Sequence, residues 1–339
     1  MNNFRLFLAA FAALVLGGAL DAVYATNSER SVGFQWATAP DAHGPPLTLA
    51  IWYPSDQPAR HVEFGPFNMN VAFSGTIKGT GHPLIVMSHG TGASPLNSYN
   101  LATSLADAGF IVVAITHKGD NYQDQSNAFT RSNFIDRLRH VSKTIDFMLD
   151  KWRGHAAIDP ARIGLFGHSA GGTTGLIAVG GQLEWGKVVS FCRSHADDWG
   201  CRKSRQRGSG DAAASAESPP IANADPRIHA AVLAAPALSH GFAPRGLSGV
   251  SVPVELWVAS NDEIARDATL VRSLLPSPVE YHLVSNAGHF SFLAPCSAML
   301  LRQAPEICAD PQDFDRSGFQ REFAAKIGAF FQTNLRSDQ

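Results

Sequence analysis

The chain is 339 residues long, with a formal net charge of −2, 45% hydrophobic and 17% charged residues. A near-neutral balance excludes the electrostatic footprint of a nucleic-acid binder or of a protein held on an anionic membrane surface. A soluble enzyme or binding protein remains.

At the amino end, Asn2 to Arg5 carry one positive side chain, Leu6 to Leu20 are apolar or small, and Ala-Val-Tyr-Ala ends at Ala25. This pattern predicts a secretory signal peptide, residues 1–25, and a mature chain of residues 26–339 that is periplasmic or secreted. The alternative, a membrane anchor, is disfavoured because the apolar stretch is shorter than the roughly 20 residues that span a bilayer. No stable membrane insertion is expected after cleavage. With no cysteine before Cys192, a lipoprotein anchor is excluded. Exported thiols tend to be oxidised. Of the three pairings that four cysteines allow, Cys192 with Cys201 and Cys296 with Cys308 are expected, because they close short local loops. The spacings are not the paired C-x-x-C units of a zinc site.

Gly33 to Thr38 and Leu47 to Tyr53 read as two strands, expected at the antiparallel edge of a mixed sheet. Asp56 to Thr80, with scattered Gly, Pro, Asn and Phe, is expected to be a loop. Pro83 to Met87 is a continuous apolar run, as for a parallel strand buried on both faces, and it ends in Ser88-His89-Gly90-Thr91-Gly92. Ser94 to Ala108 is helical by pattern and Gly109 ends it. Ile111 to Thr116 is the next strand and His117 to Ser132 a polar loop. Phe134, Leu138, Val141, Ile145, Met148 and Trp152 recur at helical spacing, predicting an amphipathic helix.

The run Arg162 to Ala178 reads R-I-G-L-F-G-H-S-A-G-G-T-T-G-L-I-A. It places Ser169 on a tight turn between a strand and a small-residue helix, the context of a nucleophile elbow, with Gly167 and Gly171 removing blocking Cβ atoms. Gln182 to Asp225 (182–225) breaks the alternation and reads as an inserted excursion, its Ser204 to Ser218 part expected to be mobile. Its basic run, Arg202, Lys203, Arg205 and Arg207, suits an acidic substrate, but a solvated charged face is the commoner reading. Strands at Ile228 to Ala235, Val254 to Ala259 and Val279 to Val284 follow, with helices between them and a last helix from about Phe319 to Thr333. Strand and helix alternating throughout predict an α/β fold with a mostly parallel, doubly wound sheet.

In such sheets ligands bind beyond the carboxyl ends of the strands. Ser169, Asp262, His289 and the Gly90-Thr91 turn each follow a strand there. The chain order serine, acid, histidine suits a serine hydroxyl whose proton passes to an imidazole held in one tautomer by a carboxylate. Ser169 is the expected nucleophile, His289 the base and Asp262 the orienter, with Glu263 the rival acid. The amides of Thr91 and Ala170 are the expected oxyanion donors. Among the thirteen histidines, His282 lies within a strand, His117 and His240 fall too early in the chain, and His89 and His168 are expected to shape the turn and the elbow.

The segments Pro83 to Ser94, Gly167 to Gly172 and Asn286 to Cys296 resemble the bacterial predicted dienelactone hydrolases, which group with the secreted platelet-activating-factor acetylhydrolases. The similarity runs from about Pro46 to Phe331. It implies an α/β-hydrolase fold, serine esterase chemistry on short acyl groups, a small-molecule ester substrate, and no metal or other cofactor. Dienelactone hydrolases proper use a cysteine nucleophile, where this elbow holds Ser169. The excursion matches no motif of the family. The expectation is an exported carboxylic ester hydrolase; a polyester or lipid hydrolase, a serine peptidase or amidase, and a non-catalytic binding protein that keeps the fold are the alternatives. Oligomeric state is left open by the sequence.

Overall fold

The computed structural model describes residues 31–208, 218–276 and 278–336. The expected signal peptide and most of the Ser204 to Ser218 segment lie outside the described residues. Among those residues ten strands form one sheet: β1 (Ser31–Ala39), β2 (Leu47–Ser55), β3 (Arg60–Phe64), β4 (Phe67–Phe73), β5 (His82–Ser88), β6 (Ile111–Ile115), β7 (Ile158–His168), β8 (Ile228–Ala234), β9 (Val254–Ala259) and β10 (Glu280–Val284). Their order is β10-β9-β8-β7-β5-β6-β2-β1-β4-β3.

The strands from β5 to β10 pair parallel to one another, and β2 joins them antiparallel through β6. Leu84 to Met87 of β5 and all of β6 and β9 are buried, which is why these stretches are unbroken apolar runs with a single charged exception, Glu255. The helices are α1 (Tyr99–Asp107), α2 (Arg131–Asp150), α3 (Ala170–Ala178), α4 (Trp185–Ser194), α5 (Trp199–Gln206), α6 (Leu270–Leu274), α7 (Ala298–Gln303), α8 (Pro305–Cys308) and α9 (Arg316–Asn334). The connection β5-α1-β6 steps one way along the sheet and β6-α2-β7 steps back across β5. Right-handed crossovers therefore put α1 and α2 on opposite faces. α1 packs with α9, and α2 with α3. Phe134, Leu138, Val141, Ile145 and Met148 form the buried stripe of α2, and the Thr130 hydroxyl caps it by accepting from the Asn133 amide at 3.1 Å.

Three expectations are corrected. Asp56 to Thr80 is not a loop throughout but contains the β3-β4 hairpin, turned at Gly65 with φ +59°, so β1 and β2 are not the edge of the sheet. Phe67, Met69 and Val71 point inward and Asn68 and Asn70 outward. The two asparagines, poor strand formers, hid a period of two. Between β8 and β9 stands a single 3-10 turn, Ser239–Gly241, in place of an α-helix. Pro236, Pro244, Gly241, Gly246 and Gly249 in that stretch account for it. The first helix opens at Tyr99, five residues later than the pattern suggested, because Asn97 Oδ1 takes the Ser94 amide at 2.6 Å and holds the chain in turns.

Both expected disulfides, Cys192–Cys201 and Cys296–Cys308, are formed. Among the described residues no helix is long and apolar enough to cross a membrane.

Candidate active site

The order of the sheet reverses at β5, whose neighbours are β6 and β7, so the crevice beyond its carboxyl end is where an open α/β sheet binds ligands. Ser88 of β5 pairs with Gly167 of β7, which brings the 88–92 turn against the Ser169 elbow. Ser169 has φ +56° and ψ −119°, a conformation L side chains rarely adopt. Tight packing holds it there. A Cβ on Gly171 would lie 1.9 Å from the Ser88 carbonyl oxygen, and one on Gly167 would lie 2.1 Å from the Gly171 oxygen. The Ser169 amide donates to the Ala234 carbonyl at 2.9 Å and its own carbonyl accepts from Ala237 at 3.1 Å, so β8 fixes the elbow from its other side.

Asp262 lies beyond β9 and His289 beyond β10, both buried. His289 Nδ1 and Asp262 Oδ2 are 2.8 Å apart, and Asp262 Oδ1 accepts from the Ile264 and Ala265 amides at 2.8 and 2.7 Å. Burial pushes the Asp262 carboxyl up. The hydrogen bond and charge of His289 and the two amides outweigh it, and the group ends below its ordinary value. An ionised Asp262 keeps the proton on Nδ1 and leaves the Nε2 lone pair of His289 free to accept one. Glu263 is exposed, and the bond to His289 goes to Asp262. His168, next to Ser169, bonds the His289 carbonyl through Nε2 at 3.1 Å, tying the elbow to the turn that carries His289. Burial, and then the charge of His289, holds His168 down at about 3.

The Gly90-Thr91 turn lies against Ser169: a Cβ on Gly90 would be 3.2 Å from Ser169 Cβ. Ala170, the first residue of α3, has an N–H without an intrahelical acceptor. The turn that carries Thr91 thus lies against the serine that Ala170 follows.

A model of the family described as platelet-activating factor acetylhydrolase, isoform II, matches residues 60–137. That stretch includes the 88–92 turn and stops short of Ser169. No curated protein sequence matches the chain. Among solved structures, a ferulic acid esterase from Streptomyces cinnamoneus superposes with a TM-score of 0.61 at 17% identity, covering 93% of this chain and 92% of that one. A dienelactone hydrolase from Anabaena variabilis gives 0.52 at 14% identity, covering 90% and 100%. The fold is that of the α/β-hydrolases.

Beneath the turn lies a buried ion pair that sequence reasoning missed. Arg137 of α2 donates from Nε and Nη2 to Asp120 Oδ2 at 3.0 and 2.8 Å. Its Nη1 donates to the His89 carbonyl at 2.8 Å and its Nη2 to the Gly90 carbonyl at 3.3 Å. Asp120 Oδ1 in turn accepts from the Gly92 amide at 2.8 Å. His89 Nε2 accepts from the His117 amide at 3.2 Å, so its Nδ1 carries the proton and donates to the Gly90 carbonyl at 2.7 Å. Burial and the Arg137 charge hold His89 at about 4, in keeping with that neutral tautomer. Because a peptide unit is planar and trans, fixing the Gly90 carbonyl fixes the Thr91 N–H in the opposite direction. Nothing local in the sequence marks Arg137, which reads as one more polar residue on an amphipathic helix.

In the excursion, Leu183 exchanges backbone hydrogen bonds with Ile221, and its helices pack on the loops that carry Phe129 and His240. Phe191 of α4 stacks on His240 with centroids 3.7 Å apart, and Trp199 of α5 meets Phe129 at 5.9 Å. The arginines of the basic run are engaged: Arg202 bonds the Asp197 carbonyl and Arg205 the Ala196 carbonyl within the excursion, and Arg207 reaches the Gln125 amide oxygen outside it.

Proposed function

We propose that this protein is an exported serine hydrolase of carboxylic esters with short acyl groups, working through an acyl-enzyme with no cofactor. The observation that carries the proposal is the buried Asp262–His289 pair placed beyond the same sheet end as the strained Ser169 elbow. Ser169 Oγ attacks the ester carbonyl carbon while His289 Nε2 takes its proton. The amides of Thr91 and Ala170 receive the oxyanion of the tetrahedral intermediate, which collapses and expels the alcohol with the proton from His289. Water then attacks the acyl-enzyme, its proton passing to His289 Nε2, and Ser169 leaves with that proton as the acid is released. The names of the superposing esterase and dienelactone hydrolase and of the matching family support ester chemistry. The two disulfides support an oxidising compartment.

A fluorophosphonate probe tests the reading. It should label Ser169, and Ser169→Ala should lose labelling together with about 10⁶ in kcat on p-nitrophenyl acetate. Well-folded protein that neither labels nor hydrolyses would favour a binding protein. Amino-terminal sequencing of the exported chain should begin at Thr26.

A further inference from the structure

Glu255 is the charged exception in the buried strand β9. Its side chain is fully buried, and neither carboxylate oxygen has a hydrogen-bond partner among the described residues. The Trp257 indole N–H lies near it without making a hydrogen bond. No lysine or arginine lies within ion-pair distance among the described residues; Lys326 pairs instead with Glu322 at 3.2 Å. A buried carboxylate left in this state is costly unless something positive meets it.

Across the ladder, Glu280 of β10 is the register partner of Glu255, and His282, two residues on, shares its face. His282 Nε2 is 3.1 Å from Glu255 Oε1 and 3.4 Å from Glu280 Oε1, and it too lacks a hydrogen bond. One ligand atom from each of the three residues falls within 4.8 Å of the others. With bonds of 2.0 to 2.1 Å, a tetrahedral zinc site has ligand-to-ligand edges of about 3.3 Å, so both histidine edges already have the right length. The imidazole is aimed, since it stacks on Trp257 at 3.9 Å and Trp257 is held by the edge of Phe323 at 4.9 Å.

We propose that Glu255, Glu280 and His282 form a binding site for a divalent transition-metal ion of the zinc class, water completing the coordination on the exposed Glu280 side. The donor set, two carboxylates and an imidazole, suits such an ion. The site is near the amino ends of β9 and β10, whereas Asp262 and His289 follow their carboxyl ends. Its role is therefore to clamp the edge strand β10 to β9 rather than to take part in hydrolysis.

The test uses tag-free protein stripped with chelator, dialysed against micromolar free zinc, and assayed for bound metal and thermal unfolding. One zinc per chain is expected, with a rise in Tm of about 5 °C at a hundredfold excess over Kd. His282→Gln and Glu280→Gln, both shown folded by circular dichroism, should lose the bound zinc and the rise. Wild-type protein without bound zinc overturns the proposal, as does binding that survives in His282→Gln. Binding lost only in His289→Gln would place the ion at the other histidine and overturn it equally.

Discussion

Replacing Arg137 with lysine separates the charge of the buried pair from its geometry. Lysine preserves a cation for Asp120, which full removal would leave buried and uncompensated at a cost of about 3 to 5 kcal/mol. A single ammonium cannot reach Asp120 Oδ2 and also the His89 and Gly90 carbonyls, which the guanidinium meets at 2.8 and 3.3 Å. The His89 carbonyl then loses a well-formed bond, for a stability loss of about 2 kcal/mol. The larger effect falls on rate. With the Gly90 carbonyl left to His89 Nδ1 at 2.7 Å and the Ala93 amide at 3.3 Å, and the His89 carbonyl before it freed, the Thr91 amide is held less firmly where the proposed oxyanion forms. Loss of one such donor costs about 10² to 10³ in kcat. Arg137→Lys should therefore lower kcat on p-nitrophenyl acetate by about 10², leave KM near the wild-type value, and slow fluorophosphonate labelling of Ser169 in parallel. Urea titration monitored by circular dichroism checks that the variant is folded under assay conditions. A folded Arg137→Lys protein with wild-type kcat would refute the reasoning, because the turn would then hold itself.

Asp262→Asn should keep the fold and cost roughly 10³ to 10⁴ in kcat, whereas Glu263→Gln should change kcat little; reversed results would assign the acid to Glu263. Stability should fall as pH drops from about 6.5 toward 4. His89, held at about 4, and His140 and His168, each at about 3, stay neutral in the fold but take up protons once unfolded, each contributing about 1.4 kcal/mol per pH unit. Urea midpoints that do not move between pH 6.5 and 5 would contradict this. Cys296→Ala with Cys308→Ala should cost about 3 kcal/mol in unfolding experiments and lower kcat while the protein remains folded. The reason is that Asp310, just past Cys308, accepts from Ser291 Oγ at 2.7 Å, and Ser291 in turn accepts from the Gly288 amide beside His289 at 3.0 Å. An unchanged kcat in the double variant would reduce the bridge to a surface staple.

The parts legible in the sequence are those with local causes. Apolar runs, broken only by Glu255 in β9, announced β5, β6 and β9 because burial on both faces leaves little room for alternation. Gly167 and Gly171 announced the elbow because backbone presses on both positions. Asp262 and His289 were legible by position, each just past a strand end. The β3-β4 hairpin was obscured by Asn68 and Asn70, whose weak strand preference is overridden by pairing with β1 and β3. The sequence favoured Asp262 and kept Glu263 as its rival, since adjacent residues differ in which way the turn after β9 points them; the bond to His289 goes to Asp262. Arg137 and Asp120 meet only when α2 and the loop leading into it fold over the end of β5, and Glu255 meets His282 only through the register of two parallel strands. Such pairs have no signature in spacing along the chain.

The hydrogen bonds that Leu183 and Ile221 exchange make a closed neck at the base of the excursion. A loop whose ends are already joined can change length at small expense, since closure entropy grows only with the logarithm of the number of residues enclosed. Material added or removed between those two residues would leave β7, α3 and β8 where they are. Phe191 and Trp199, which the excursion sets against His240 and Phe129, can therefore be exchanged without redirecting the strands on either side of the neck. On the proposed reading as an ester hydrolase, exchanging this one cassette is the route by which substrate range would change while β7, α3 and β8 keep their places.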